Sequence, residues 1–225
     1  MSRGFIFDLD GTTLNTLDDL GNACNLALTA FGYPTHPLPA YKQMVGNGFV
    51  LLIMRSLPCG EAESMEKKQF QAILEYAKKA YSQHMMERTR PYEGMTETLE
   101  YLADNGALLA VLSNKPEPMT QKLIEHYYPI IPFVRVYGGR EDMPLKPDPT
   151  RALSILNDFT LAPANVFFVG DSQVDMLTAK NAGMRACGVT WGFRGEEELR
   201  VNGADTIAKT PQDLCDLLLH SAKTR

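Results

Sequence analysis

The sequence predicts an α/β protein whose parallel sheet is interrupted, close to its start, by an all-helical stretch. Two observations carry the prediction. From Pro91 onward, short apolar runs alternate with stretches of helical spacing, the pattern of a parallel sheet covered on both faces. Between Leu17 and Arg90 only helical spacing is found, and one strand-like run, residues 4–9, stands alone ahead of it.

Residues 4–9 are apolar and aromatic and break at Asp10-Gly11, as a buried strand ending in a turn does. Leu17, Leu20, Cys24, Ala27, Leu28 and Phe31 then recur at helical spacing until Pro34 and Pro37 interrupt. A second helical pattern covers roughly 47–57, and a third takes in Met65, Phe70, Ile73, Leu74, Ala77, Tyr81 and Met85. After Pro91, apolar runs at 107–112, 133–137, 166–169 and 186–189 read as strands, with a last short one near Thr206-Ile207. Helical patterns separate them: Met95, Leu99 and Leu102, then Met119, Leu123, Ile124 and Tyr127, then 152–156, and finally 174–182, stopped by Gly183. The expected division is an α/β core from residues 1–15 and 89–225, with a helical insertion at 16–88.

Composition narrows the function classes. Of 225 residues 44% are hydrophobic and 22% charged, ordinary for a globular protein. A net charge of −5 argues against nucleic acid or an anionic membrane surface as the main partner. No apolar run approaches the roughly 20 residues that span a bilayer, and the first residues lack the pattern of an export signal. Cys24, Cys59, Cys187 and Cys215 are widely spaced with no C-x-x-C pair, so free thiols in a reducing cytoplasm are expected and a zinc site is not. The scattered histidines, His36, His84, His126 and His220, receive no role, and a monomer is the default.

Open α/β sheets bind ligands beyond the carboxyl ends of their strands. Four expected strand ends lead into polar groups: Asp8-Leu9-Asp10-Gly11-Thr12, Ser113-Asn114-Lys115, a loop with Lys146-Pro147-Asp148-Pro149, and Gly170-Asp171-Ser172-Gln173-Val174-Asp175. Each has a plainer reading alone, as a turn, a helix cap or a proline-rich loop. Together, in a parallel sheet, they converge on one edge. Asp8, Asp10, Asp171 and Asp175 would then crowd four carboxylates, and two like charges at ~4 Å cost about 4 kcal/mol at an effective dielectric near 20. Such a set calls for a cation, and hard oxygen ligands favour magnesium. Lys146 adds a fixed positive charge, and Ser113 a hydroxyl for a phosphate oxygen. These are parts suited to phosphoryl transfer, where catalysis is positioning and charge neutralisation. Asp8 and Asp10, two apart on an extended segment, point to the same side, so one can attack while the other handles protons.

These four elements resemble the motifs of the haloacid dehalogenase superfamily: D-x-D-G-T, a Ser/Thr after the second strand, a Lys, and G-D-x-x-x-D. The resemblance implies a Rossmann-like core with a mobile helical cap, and a small phosphorylated metabolite as substrate. It implies Asp8 as a nucleophile that becomes phosphorylated and Asp10 as general acid/base. It implies Leu9, Thr12, Ser113, Asn114 and Lys146 around the phosphoryl group. It also implies magnesium held by Asp8, the backbone carbonyl of Asp10, and Asp171, with Asp175 in support. A closer likeness, to bacterial phosphoglycolate phosphatases, rests on Val45-Gly46-Asn47-Gly48 with Arg55, on Arg90-Pro91-Tyr92-Glu93-Gly94, and on Trp191-Gly192-Phe193-Arg194. Gly46, Asn47 and Gly48 could offer backbone N–H groups to a substrate carboxylate with Arg55 assisting. A tight turn with a surface arginine fits the same residues. Thr13 and Asn15 depart from the family pattern near the expected hinge. A sugar phosphomutase, a pyrophosphatase or a nucleotidase of the same superfamily are the alternatives. A binding module without catalysis is the reading from another class, but every catalytic group is in place. Asp10 argues against a dehalogenase.

Overall fold

The computed structural model describes residues 2–219, so His220 and the last five residues of the expected core lie outside it. β1 (Gly4–Phe7) opens the chain. After a turn, β2 (Leu14–Asn15) leads into α1 (Leu17–Ala30), α2 (Phe49–Ser56), α3 (Glu61–Ser64) and α4 (Lys67–His84). β3 (Arg90–Pro91) brings the chain back antiparallel to β2. Strand and helix then alternate: α5 (Met95–Asp104), β4 (Leu108–Pro116), α6 (Glu117–Tyr127), β5 (Phe133–Gly139) and α7 (Thr150–Phe159). β6 (Val166–Gly170), α8 (Gln173–Asn181), β7 (Arg185–Val189), α9 (Glu196–Val201), β8 (Thr206–Ala208) and α10 (Asp213–Leu219) complete the order. No helix among the described residues is long and apolar enough to cross a membrane.

Six strands make one parallel sheet in the order β5-β4-β1-β6-β7-β8. Alternation along the strands feeds two apolar layers. Phe5, Phe7, Leu109, Val111, Phe167 and Val169 belong to the core that also holds Leu99 of α5, Leu123 of α6 and Leu214 of α10. Ile6, Ala110, Leu112 and Phe168 belong to the other, with Ile155 of α7 and Met176 of α8. Each large side chain taken fully out of water contributes on the order of 2 kcal/mol, so the central strands have no face to spare for water. That is why they read as unbroken apolar runs.

The pairing register sets the site. Phe7 lies beside Val111 and Val169, so Asp8, Ser113 and Asp171 all emerge within two residues of one level. β4 differs from its neighbours. Leu112 pairs with Tyr137 and Pro116 with Gly139, so three β4 residues, 113–115, face a single residue of β5. A bulge of this kind re-aims side chains at a sheet rim.

The first expected strand, 4–9, is shorter, ending at Phe7, and the later ones appear with small extensions, the largest carrying 107–112 on to Pro116. The two-residue pair β2/β3 was not expected, because two residues carry no periodicity. It ties the two chain segments that flank the helical insertion. Asp19 of α1 reinforces that junction, its carboxylate accepting the backbone N–H groups of Arg88 and Thr89. Tyr128 also donates to the Thr13 carbonyl at 2.7 Å.

Candidate active site

Asp8 follows the last residue of β1 and is almost fully buried. Its Oδ1 accepts the Leu9 N–H at 2.7 Å and lies 2.9 Å from the Lys146 ammonium. Lys146 also reaches Asp175 Oδ1 at 2.7 Å. The other oxygen of Asp175 accepts the N–H and hydroxyl of Ser172, closing a capping box at the start of α8. Asp171 is buried beside them, with Oδ2 accepting the Phe193 N–H at 2.7 Å. One oxygen from each of Asp8, Asp171 and Asp175 lies within 4.8 Å of the others. Gly11, at φ +83°, turns the chain against this cluster, and a Cβ there would collide with the Asp171 carboxylate.

Burial pushes the Asp8 carboxyl up to about 7 against the pull of Lys146, with the charges of Asp175 and Asp10 adding to the rise. Burial likewise drives Asp171 well above the usual carboxylate range, helped by Asp175 and Asp8. Lys146 sits above its ordinary value because Asp175 and Asp8 outweigh the burial that opposes its charge. The donors here are carboxylate oxygens. Four carboxylates, Asp8, Asp10, Asp171 and Asp175, face two ammonium groups, Lys115 and Lys146. The ionised set therefore carries two uncompensated negative charges, which a hard divalent cation would balance.

Asp10 forms the second half of the site. Its Oδ1 accepts the Thr16 hydroxyl at 2.6 Å and lies 2.8 Å from the Lys115 ammonium. Lys115 is itself buried and lies over the ring of Tyr81, 4.4 Å from its centroid. Asn114 stitches the site together. Its Oδ1 accepts the Lys146 N–H at 2.8 Å, and its Nδ2 donates to the carbonyls of Lys146 and Gly46.

The helical insertion covers these groups. Asp8, Asp10, Ser113, Asn114 and Lys115 share a cavity with Leu20, Val45, Gly46, Gly48, Phe49 and Leu52. Its free volume is about 20 Å³, room for one water. Four consecutive residues brace the site from the core side, and the last of them reaches the helical insertion. Trp191 donates to the Thr12 carbonyl, Gly192 packs on Asp171 and Gly11, Phe193 binds Asp171, and Arg194 donates to the carbonyls of Lys42, Gln43 and Val45.

The residues expected from sequence are therefore placed as follows. Asp8, Asp10, Ser113, Asn114, Lys146, Asp171 and Asp175 come together. Leu9 contributes its backbone N–H. Gly46 and Gly48 line the cavity; Asn47 does not, and Gly48 precedes α2 at φ +88°. Arg55 points its guanidinium at the Met44 carbonyl, away from the cavity lining. Thr12 is buried, its hydroxyl without a hydrogen-bond partner among the described residues. Thr16 was not singled out, and Lys115 was noted at the strand end Ser113-Asn114-Lys115 without a role of its own.

The family model described as haloacid dehalogenase-like hydrolase matches residues 5–189. Phosphoglycolate phosphatase of Mannheimia succiniciproducens is 33% identical over 215 residues, covering 94% of this chain and 95% of that protein. Phosphoglycolate phosphatase 1 of Pseudomonas aeruginosa is 33% identical over 216 residues, covering 95% and 79%. A crystal structure of a predicted phosphoglycolate phosphatase from Haemophilus somnus matches with a TM-score of 0.88 at 29% identity, covering 96% of this chain and 97% of that one.

Proposed function

The chain belongs to the haloacid dehalogenase-like hydrolase family and is a phosphatase, and we propose that it hydrolyses phosphoglycolate or a similar small phosphomonoester through Asp8 with magnesium. One observation carries this reading: a buried Asp8 carboxylate, one side against Lys146, within 4.8 Å of two further carboxylates. No other arrangement among the described residues offers a nucleophile, a fixed cation and an anionic cage in one place.

Asp8 attacks phosphorus in line, and the bond to the ester oxygen breaks as Asp10 gives that oxygen a proton. Water then attacks the phosphoryl group on Asp8. Asp10 takes its proton, the bond to Asp8 breaks, and phosphate leaves. Thr16 keeps Asp10 oriented for both transfers. Lys146 and Ser113 neutralise and hold phosphoryl oxygens, with the backbone N–H groups of the Asp8–Thr12 turn. Asp8, the Asp10 carbonyl and Asp171 would hold magnesium, which supplies charge neutralisation at the phosphoryl oxygens. Both oxygens of Asp175 are engaged by Lys146 and Ser172, so its part is to hold that lysine in place.

Residues 16–88 act as a cap. A phosphorylated metabolite cannot enter a cavity that holds one water, so the cap opens for each turnover, bending at the β2/β3 junction. The described cysteines are free thiols, which supports a reducing cytoplasm as its setting.

The test is phosphate release from a panel of phosphorylated metabolites, with magnesium and with excess chelator. Magnesium-dependent turnover peaking on phosphoglycolate is expected, with a loss of at least about 10³-fold in Asp8→Asn. Full activity in that variant would remove the nucleophile assignment.

A further inference from the structure

In a regular strand, successive side chains point to opposite faces. Ser113, Asn114 and Lys115 nevertheless all line the one cavity, because the bulge in β4 sets three residues against one of β5. Alternation alone places Lys115, at the end of an apolar strand, on the face of Ser113, and the bulge brings Asn114 to the same cavity. Its side chain is 1% exposed.

Lys115 is the one cationic side chain on the cavity lining. Lys146 is committed to Asp8 and Asp175, and Arg55 turns to the Met44 carbonyl. Among the described residues the Lys115 ammonium has one anionic partner, Asp10, and otherwise the face of Tyr81. An ammonium has three donors, and an aromatic face satisfies a cation without consuming a hydrogen bond. Asp10 is also held by Thr16 at 2.6 Å, so it keeps a partner when Lys115 turns away. The N-terminus of α2 opens on the same cavity through Gly48 and adds partial positive charge. The remaining cap-side lining, Leu20, Val45, Phe49 and Leu52, is apolar.

From this we propose that Lys115 is the residue that selects the substrate: its ammonium receives a carboxylate carried on the non-phosphoryl end, so the enzyme favours small phosphate esters of hydroxy acids over neutral ones. The inference rests on the phosphatase reading above. A neutral end group would enter the closed cavity without a second anion beside Asp10 for Lys115, leaving donor capacity of a buried ammonium unused. A charge-assisted hydrogen bond of this kind corresponds to about 10- to 100-fold in selectivity.

The test compares two esters of equal carbon number, phosphoglycolate and 2-hydroxyethyl phosphate, in the wild type, Lys115→Met and Lys115→Arg, all with magnesium. The wild type is expected to prefer phosphoglycolate in kcat/KM by about 10- to 100-fold. Lys115→Met brings that ratio close to one, and Lys115→Arg restores part of it. Loss of Asp10 placement or of folding lowers both substrates together, so only the ratio reports recognition. A ratio unchanged in Lys115→Met would overturn the assignment, as would a wild type that turns over both esters equally; both leave the phosphatase reading standing. Turnover of neither ester or any other phosphomonoester by the wild type would overturn both.

Discussion

The raised Asp8 carboxyl makes the stability of the metal-free protein depend on pH in a way that one substitution reduces. Asp8 moves from 3.8 to about 7 on folding, chiefly through burial. Between those values the folded chain holds a proton that the unfolded chain has released, so stability falls as pH rises. The stabilising proton is fully present below pH 3.8 and lost as pH passes about 7. A shift of about three units corresponds to about 4 kcal/mol across the window. From pH 5 to 7 about 2 kcal/mol would be lost, or about 4–8 °C in Tm for a chain of this size. Asparagine has no proton to lose, and its amide removes one charge facing Asp171. Lys146 keeps Asp175 as its partner in that variant, and it titrates outside the window. Thermal melts of wild type and Asp8→Asn in excess chelator, from pH 5 to 7.5, are the assay. The wild type should melt steeply lower with pH and the variant much less so. Saturating magnesium at about 100 times its Kd should add roughly 2.7 kcal/mol to the wild type at neutral pH. Equal pH slopes for the two metal-free proteins would refute the reasoning, because they would mean that Asp8 is not the group holding the proton.

Gly11→Ala places a methyl group against the Asp171 carboxylate at a backbone angle of +83°. Activity should fall by at least about 10²-fold and the melting temperature should drop; a variant with wild-type kcat/KM would show that the turn can relax. Arg194→Ala removes three hydrogen bonds from Arg194 to backbone carbonyls of the helical insertion. Hydrogen exchange at residues 42–48 should rise by about 10-fold, with KM rising more than kcat falls. Unchanged exchange there would mean that Arg194 does not hold the cap.

The central strands were legible because burial on both faces leaves an unbroken apolar run, as at 166–169. The acidic cluster was legible because each motif begins where such a run stops. Asp8 and Asp171 stand one residue past β1 and β6, so their meeting follows from register. Lys115 was legible as a polar residue at a strand end on the face of Ser113, but not its role, since its ion pair with Asp10 and its place over the Tyr81 ring come from segments far apart in sequence. Thr16 was missed for another reason. It follows a strand of two residues, too short to show any period. Arg55 was read toward a substrate carboxylate from a likeness alone, and a likeness does not say which carbonyl a long flexible side chain will choose. The Trp191-Gly192-Phe193-Arg194 run stood out only as a likeness, and its contacts with the Thr12 carbonyl, Asp171 and the cap come from segments far apart in sequence.

The bulge in β4 also bears on how such an enzyme acquires a different diet. Leu112 and Pro116 carry the pairing with β5, and the residues between them carry almost none of it. The side chain at 115 can therefore be exchanged without unpicking the sheet, much as a tool is changed without rebuilding the handle. Deleting one of the three would be a different event. It would pull the rim back toward regular pairing and turn a neighbour from the cavity into the core. Related chains that differ in substrate are then expected to vary in identity at 115 far more often than in the length of this tripeptide.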